Sequence, residues 1–394
     1  MTQDKNSENV NPWFRLAHRA GLRAEQLLDT VRSAFEAKFR PDQPLNIVPY
    51  VGMGNASSIE LNGRVLRYQK PPDSDPTTVW SALRANYQRF ETDEVPKVRV
   101  QARIGDTITA EAITDEEGYF QFSLEIPPGM ETGSSSATAE ESRVVDITLG
   151  LPDHSDEHPE CITRVTLPGL DAQFGVISDI DDTVLITEAT SLLNMMRLTL
   201  LGTARTRLAF PGVAAFYRAL HDEKNPIFYV SSSPWNLYDF LSDFMQVNGL
   251  VKGPMLLRDF GLDANQFIAG SHHDHKLAAA SRILAHYADL KFILVGDSGQ
   301  ADPEIYLELL ERNPDRILAI YIRDVSEIAR DRQVQSLIAR AHSVGVPMVL
   351  APDSLAAAVH ALSLGLVTPD CLEQIRSELD EVPQTTTERI LAVR

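Results

Sequence analysis

Positive charge is scarce in this chain of 394 residues. It carries 36 lysines and arginines against 55 aspartates and glutamates, which gives a formal net charge of −19. Binding to nucleic acid requires lysine and arginine patches that neutralise phosphates, so we expect no nucleic-acid partner. The same deficit disfavours a purely electrostatic attachment to an anionic membrane and leaves room only for transient contact with a membrane surface.

Cysteine and long apolar segments are also scarce. The two cysteines, Cys161 and Cys371, provide neither a disulfide framework nor a metal-binding spacing, which suits a reducing compartment. No stretch reaches the ~18 apolar residues that a membrane-spanning helix needs. Residues 1–20 lack the apolar core of a secretory signal. We therefore expect a cytoplasmic protein without a transmembrane segment.

The sequence pattern changes near residue 45. Residues 12–40 repeat apolar residues at helical spacing, which predicts a helical lead-in over residues 1–44. Residues 45–170 instead alternate apolar and polar residues between glycine, asparagine and aspartate turns, as strands and hairpins do. Several short strands of this kind predict a β-sandwich domain, to which the sequence assigns no role.

A third pattern begins near residue 171. Short apolar runs alternate with helix-like stretches, and the runs read FGVIS, PIFYVS, FILVGD, RILAIYI and VPMVLA. Continuous apolar runs are typical of strands buried on both faces, and strands that alternate with helices favour a doubly wound, mostly parallel sheet. We therefore predict an α/β domain over residues 171–368, followed by a helical tail over residues 369–394.

Carboxylates, hydroxyls and glycine turns stand at the ends of three of these runs. They are Asp179, Asp181 and Thr183 after the first, Ser231 and Ser232 after the second, and Asp297 and Asp302 after the third. Lys276 lies near the start of a helix that leads into the third strand. Ligands of open α/β sheets bind outside the carboxyl ends of the strands, so we expect these side chains to converge. Clustered carboxylates are tolerable there if a hard divalent cation such as Mg²⁺ neutralises them.

The order of these motifs resembles the haloacid dehalogenase superfamily. Its phosphatases carry DxDxT after the first strand, a Ser or Thr after the second, a Lys, and an acidic pair like GDxxxxD. The segments SDIDDTV, FYVSSSPWNLYDFL and GDSGQADPEIY are more specific. They resemble the catalytic domain of the fungal actin-patch phosphatidate phosphatase family and its bacterial relatives, over roughly residues 165–365. The resemblance implies a haloacid dehalogenase-like fold for this part of the chain.

The resemblance also implies a magnesium site. Asp179 and Asp297 would each supply a side-chain ligand, Asp181 would supply its backbone carbonyl, and Asp302 would be an outer ligand or would orient the others. Mg²⁺ is usually held by one or two carboxylates together with the phosphate of the substrate. We therefore expect Mg²⁺ as the cofactor.

Four residues are candidates for the catalytic steps. Asp179 would accept the phosphoryl group as an aspartyl-phosphate, and Asp181 would protonate the leaving alkoxide and then take a proton from water. Lys276 and Ser231 would stabilise the charge on the transferring group. Ser231 is preferred over Ser232 as the phosphate ligand because it directly follows the apolar run. Three further residues are candidates for substrate binding: Thr183, Ser232 and Arg258.

The segment between the first two motifs bears on the choice of substrate. Residues 191–201 are rich in leucine and methionine around most of a helical wheel. This pattern predicts either a buried helix or an apolar cap or membrane-contacting helix beside the phosphate site. The resemblance implies Mg²⁺-dependent dephosphorylation of phosphatidate to diacylglycerol. Two alternatives stay open: a phosphatase of another small phosphomonoester, and a β-sandwich binding module with a regulatory phosphatase domain. The sequence identifies no protein partner.

Overall fold

The computed structural model describes residues 44–67, 95–105, 108–126, 143–154, 160–181, 183, 210–258, 272–325 and 328–380. The chain forms two compact units, Met1–Leu45 and Asn46–Arg394, and nearly all described residues belong to the second. The predicted lead-in over 1–44, the segment 191–201 and the tail beyond residue 380 lie essentially outside the described residues. In the described ranges, no helix combines the length and apolar character needed to cross a bilayer.

The first eight strands form two four-stranded sheets. They are β1 (Leu45–Pro49), β2 (Met53–Gly54), β3 (Ser58–Arg67), β4 (Arg99–Ile104), β5 (Ile108–Ile113), β6 (Tyr119–Glu125), β7 (Arg143–Gly150) and β8 (Cys161–Leu167). In one sheet β3 pairs with β1, β2 and β6, and the other sheet has the order β5-β4-β7-β8. Phe120 and Phe122 of β6 are both buried, with their ring centroids 5.5 Å apart, as alternation along a strand predicts. The β-sandwich and its domain boundaries stay predictions.

A six-stranded parallel sheet forms the second part. Its strands are β9 (Gly175–Asp179), β10 (Ile227–Pro234), β11 (Met255–Arg258), β12 (Phe292–Asp297), β13 (Ile317–Arg323) and β14 (Met348–Ala351). The order across the sheet is β11-β10-β9-β12-β13-β14, with every pairing parallel. The predicted α/β class with a parallel sheet is confirmed. Its assignment as doubly wound and haloacid dehalogenase-like stays a prediction.

Helices separate the strands of this sheet. The described ones are α1 (Val213–His221), α2 (Tyr238–Val247), α3 (His272–His286), α4 (Asp302–Arg312), α5 (Ile328–Ser343), α6 (Ser354–Ser363) and α7 (Asp370–Asp380). Consecutive residues of β9 face opposite sides of the sheet and belong to two different hydrophobic cores. Val176 is in the core that includes residues of α1, α6 and α7, whereas Ile177 is in the core that includes residues of α3 and α4. The strand is thus covered on both faces, which explains its unbroken apolar run.

The strand order reverses direction next to β9. The chain leaves β9 for β10 and β11 on one side, then crosses to β12 and continues outward on the other. The connections on the two sides diverge at such a reversal, which opens a crevice at the carboxyl ends of the two central strands. The ends of β9 and β12 are occupied by Asp179 and Asp297. The fold therefore places both carboxylates at the preferred ligand position of an open parallel sheet.

The strand β10 is longer than the sequence predicts. It pairs with β9 as far as Val230, opposite Asp179, and then continues to Pro234, opposite Arg258 of β11, after a register shift. Ser231 and Ser232 therefore lie within the strand rather than after it. Because β10 extends several residues beyond the end of β9, its serines lie past the carboxyl end of β9.

The antiparallel part contacts the parallel sheet beside β10. Tyr50 stacks on Trp235 and Tyr238, with ring centroids 5.2 Å and 3.8 Å away. The Val51 backbone N–H donates a hydrogen bond of 2.8 Å to Tyr238 Oη, and the Gly54 N–H donates one of 3.1 Å to the hydroxyl of Tyr287. The turn that follows β10 is thus packed against the segment between β1 and β3.

Candidate active site

Three carboxylates meet at the reversal point of the sheet. Asp179 ends β9, Asp297 ends β12 and Asp302 begins α4, and all three are fully buried. One oxygen from each of these side chains lies within 4.8 Å of the other two. The sequence predicts that Asp179 and Asp297 converge, and the distance is short enough for both to bind a single ion.

Lys276 supplies the positive charge next to these carboxylates. It projects from the first part of α3, and its Nζ lies 2.7 Å from Asp179 Oδ1 and 2.6 Å from Asp302 Oδ1. Burial disfavours the charged ammonium, but the two neighbouring carboxylates outweigh burial and raise the pKa of Lys276 above its usual value. The lysine is therefore a fixed cation that bridges Asp179 and Asp302.

The single lysine does not compensate the group of three carboxylates. Burial, followed by the charge of Asp302, raises the pKa of Asp179 well above its usual value. Asp179 Oδ2 is buried and has no hydrogen-bond partner among the described residues. Buried carboxylates are normally paired or bound to metal, so this arrangement lacks positive charge. An oxygen-lined site with excess negative charge fits a hard divalent cation such as Mg²⁺.

The loop after β12 orients Asp297. Asp297 Oδ1 accepts hydrogen bonds from the backbone N–H groups of Gly299 at 2.7 Å and Gln300 at 2.9 Å. Asp302 Oδ2 accepts a hydrogen bond of 3.2 Å from the Asp297 N–H. A Cβ atom at Gly296 would lie 2.7 Å from Asp302 Oδ2, so only glycine fits there without movement. The loop thus fixes the orientation of the Asp297 carboxylate.

Asp181 is held by two serines of β10. Asp181 Oδ2 accepts hydrogen bonds from Ser231 Oγ at 2.9 Å and Ser233 Oγ at 3.2 Å, and the Ser233 N–H donates to Ser231 Oγ at 2.9 Å. The sequence predicts Ser231 at the site but misses Ser233. Residues two apart in a strand share a face, and that spacing could have identified it. Ser232 points to the other face, and it is Ser231 that meets Asp181.

The other predicted substrate-binding residues are spread around the carboxyl edge. Thr183 is buried and lines a small cavity of about 20 Å³ with Tyr217 and Arg323, and its hydroxyl has no hydrogen-bond partner among the described residues. Ser232 is partly buried, and its hydroxyl likewise has no partner there. Arg258 ends β11, beside the end of β10. Their roles in substrate binding stay predictions.

Comparison with known proteins finds a family that resembles the first five strands of the parallel sheet and the helices between them. Residues 174–324 match the family model described as the catalytic domain of phosphatidate phosphatase APP1. This region is similar to that catalytic domain. The match spans β9 to β13 and therefore includes every carboxylate of the site, together with Lys276 and the β10 serines. The resemblance to the phosphatidate phosphatase family predicted from the sequence is confirmed.

Two fungal proteins show the extent of the similarity. Phosphatidate phosphatase APP1 of Saccharomyces cerevisiae is 32% identical over 191 residues, which cover 48% of this chain and 32% of that protein. An uncharacterised protein of Schizosaccharomyces pombe is 30% identical over 250 residues, which cover 61% of this chain and 40% of that protein. The alignments thus span about a third to two fifths of the length of these relatives.

One solved structure aligns only weakly. A β-glucuronidase of Bacteroides uniformis aligns over 78% of this chain and 39% of its own, at 10% identity and a TM-score of 0.24. A score this low supports no conclusion about fold or function.

Proposed function

We propose that this protein is a Mg²⁺-dependent phosphomonoester hydrolase that converts phosphatidate to diacylglycerol. The observation that carries the proposal is the buried group of Asp179, Asp297 and Asp302, bridged by Lys276, at the reversal point of the sheet. This group lies within the region that matches a phosphatidate phosphatase catalytic domain. The strand order and the position of the site also support a doubly wound, haloacid dehalogenase-like fold.

The chain offers three oxygen ligands for Mg²⁺, and water and the substrate phosphate would supply the others. The side chains of Asp179 and Asp297 and the backbone carbonyl of Asp181 would hold the ion. Asp302 already pairs with Lys276 and with the Asp297 N–H, so it would mainly orient the ligands. When bound, the ion would offset the negative charge of the carboxylates and of the phosphoryl oxygens.

Asp179 is the proposed nucleophile. A carboxylate oxygen of Asp179 forms a bond to phosphorus, and the bond between phosphorus and the ester oxygen breaks, which leaves an aspartyl-phosphate and an alkoxide. Water then attacks this phosphorus, inorganic phosphate leaves, and the Asp179 carboxylate is restored. Lys276 fixes the orientation of Asp179 through its 2.7 Å ion pair and favours the ionised, nucleophilic form.

Asp181 is the proposed general acid and base. In its protonated form it donates a proton to the leaving alkoxide, and as a carboxylate it then accepts a proton from the attacking water. Ser231 and Ser233 hold one of its oxygens, while the other has no hydrogen-bond partner among the described residues. That second oxygen is therefore available for proton transfer to the substrate.

Phosphatidate is proposed as the substrate because the yeast relative is named a phosphatidate phosphatase. A comparison of three phosphate esters tests this choice. Phosphate release by the full chain would be measured with phosphatidate in mixed micelles, with glycerol 3-phosphate and with 4-nitrophenyl phosphate. We expect release that requires Mg²⁺ and is stopped by EDTA, with the highest kcat/KM for phosphatidate. Equal or higher kcat/KM for the soluble esters would replace phosphatidate by a small phosphomonoester. No metal-dependent release from any of the three would leave the alternative of a β-sandwich binding module with a regulatory domain.

The location of the protein is part of the same proposal. We propose a cytoplasmic enzyme that meets its lipid substrate by transient contact with a membrane surface. The net charge of −19 argues against a lasting electrostatic attachment to anionic lipid. Cosedimentation of the chain with phosphatidate-containing vesicles, with and without Mg²⁺, would measure that contact.

Ser231→Ala and Ser233→Ala should each slow hydrolysis through their effect on Asp181. A hydrogen bond to a charged group contributes ~1.5–3 kcal/mol, which corresponds to a loss of roughly 10- to 100-fold. Because Asp181 protonates the leaving group, the loss should grow as the leaving group becomes more basic. The measurement is kcat/KM across aryl phosphates of graded leaving-group pKa, with exposed Ser336→Ala as the control. A loss independent of the leaving group would contradict this role.

A further inference from the structure

Arg330 of α5 makes four side-chain hydrogen bonds to one short region of the chain. Its Nε donates to the Ser298 carbonyl at 3.0 Å, and its Nη2 donates to the Gln300 carbonyl at 2.7 Å. The same guanidinium pairs with both carboxylate oxygens of Glu304, at 2.6 Å and 2.7 Å. Arg330 therefore ties the loop after β12 to the first turns of α4.

The loop that Arg330 holds is the one that orients Asp297. The peptide N–H groups of Gly299 and Gln300 donate to Asp297 Oδ1, and the carbonyl of the first of these peptide units belongs to Ser298. A peptide unit is planar, so a hydrogen bond to the Ser298 carbonyl also fixes the direction of the Gly299 N–H. Arg330 thus acts on Asp297 through the peptide between Ser298 and Gly299.

The same loop also reaches the other strand end. Gln300 Nε2 donates a hydrogen bond of 3.4 Å to the backbone carbonyl of Asp181. This carbonyl is one of the proposed ligands of Mg²⁺. Because Arg330 binds the carbonyl of Gln300, it influences the positions of two proposed ligands, the Asp297 carboxylate and the Asp181 carbonyl.

Arginine is suited to this arrangement in a way that lysine is not. The guanidinium is planar and carries five donors in a rigid fork, which can bind carbonyl and carboxylate groups at once. A lysine carries a point charge on a flexible chain and cannot keep all four hydrogen bonds. The side chain of Arg330 is 22% exposed, which shields its contacts from much of the solvent.

We propose that Arg330 is a positioning residue that sets the affinity of the site for Mg²⁺ by holding residues 298–300. The inference rests on the proposed function, because it concerns the same ion. Residues that orient metal ligands typically change metal affinity or activity by ~10- to 100-fold when they are replaced. Arg330 itself would contact neither the ion nor the substrate.

The chain offers a matched control for this test. Arg340 lies on the same helix and pairs with Glu311 of α4 at 2.6 Å, so it joins the same two helices, but this pair is exposed. Mg²⁺ would be titrated by calorimetry into the wild type, Arg330→Met, Arg330→Lys and Arg340→Met. We expect Arg330→Met to bind at least about tenfold more weakly, Arg330→Lys to lie in between, and Arg340→Met to match the wild type.

The titration separates this inference from the proposed function. Mg²⁺ binding to Arg330→Met with the wild-type Kd would overturn the inference and leave the phosphatase proposal intact. No binding of Mg²⁺ to the wild type would overturn both. Thermal unfolding without metal checks that each variant folds. Should Arg330→Met not fold, Arg330→Lys decides, because it keeps the charge beside Glu304 but cannot hold both carbonyls.

Discussion

Asp179→Asn should fold like the wild type but release phosphate from 4-nitrophenyl phosphate at least ~1,000-fold more slowly. An amide oxygen is a poor nucleophile, so the first displacement on phosphorus loses its attacking group. The fold should survive because the replacement is nearly isosteric and removes a carboxylate whose pKa burial already raises. The loss should be the same for phosphatidate, because it concerns the reacting atom rather than recognition of the lipid.

The control for this prediction is Asp315→Asn. Asp315 is an exposed aspartate between α4 and β13, and its replacement removes the same charge without touching the site. Phosphate release and the thermal unfolding midpoint would be measured for both variants in the same Mg²⁺ buffer. Phosphate release by Asp179→Asn within a few-fold of the wild type would exclude Asp179 as the nucleophile and with it the proposed mechanism.

Lys276→Met should reduce both stability and activity. The ammonium of Lys276 pairs with Asp179 and Asp302 while almost completely buried, at 4% exposure. Removing one partner of a buried ion pair leaves uncompensated charge and typically costs about 3–5 kcal/mol of unfolding free energy. We expect a loss of this size in metal-free urea unfolding, and hydrolysis slower by at least ~100-fold because Asp179 loses the group that orients it.

Two further variants identify the cause of the Lys276→Met effect. Lys291→Met removes an exposed lysine at the opposite end of β12 and should change neither stability nor hydrolysis. In Lys276→Met, the carboxylates of Asp179 and Asp302 have lost the ammonium that neutralised them. Adding Asp302→Asn removes one of these two negative charges, so the double variant should regain part of the stability but not the activity. An unfolding free energy of Lys276→Met equal to the wild type would show that the buried pair contributes no net stability.

Convergence of the carboxylates was predictable because two sequence signals agree. Unbroken apolar runs such as the one ending at Asp179 indicate strands covered on both faces, which are parallel, and parallel strands present their carboxyl ends at one edge. The run ending at Asp297 carries the same signal. Neither signal says which strands are neighbours, since β10 and β11 lie between β9 and β12 in the chain. The adjacency of the two aspartates depends on the strand order.

The positions of Ser231 and Ser233 could not be predicted from where the apolar run ends. The apolar run ends at Val230, so the sequence places Ser231 after the strand, yet β10 continues to Pro234 through a register shift. The strand pairs with the neighbouring β11 again at Pro234, beyond these serines. The contact of Ser233 with Asp181 arises from this extension. The pattern of apolar residues carries no information about this extension, and the only sequence signal for the contact is the two-residue spacing of Ser231 and Ser233.

The local sequence alone determined which residues can perform the chemistry and the type of structure that carries them. Apolar periodicity sets the identity of a segment as strand or helix, because each segment must bury its own apolar face. Only the tertiary structure decided which of those residues meet. Lys276 pairs with Asp179, which lies 97 positions earlier in the chain. Arg330 binds the loop after β12, which lies about 30 positions earlier. Such contacts depend on how separate helices pack on one sheet, and packing depends on the shapes of all surfaces together.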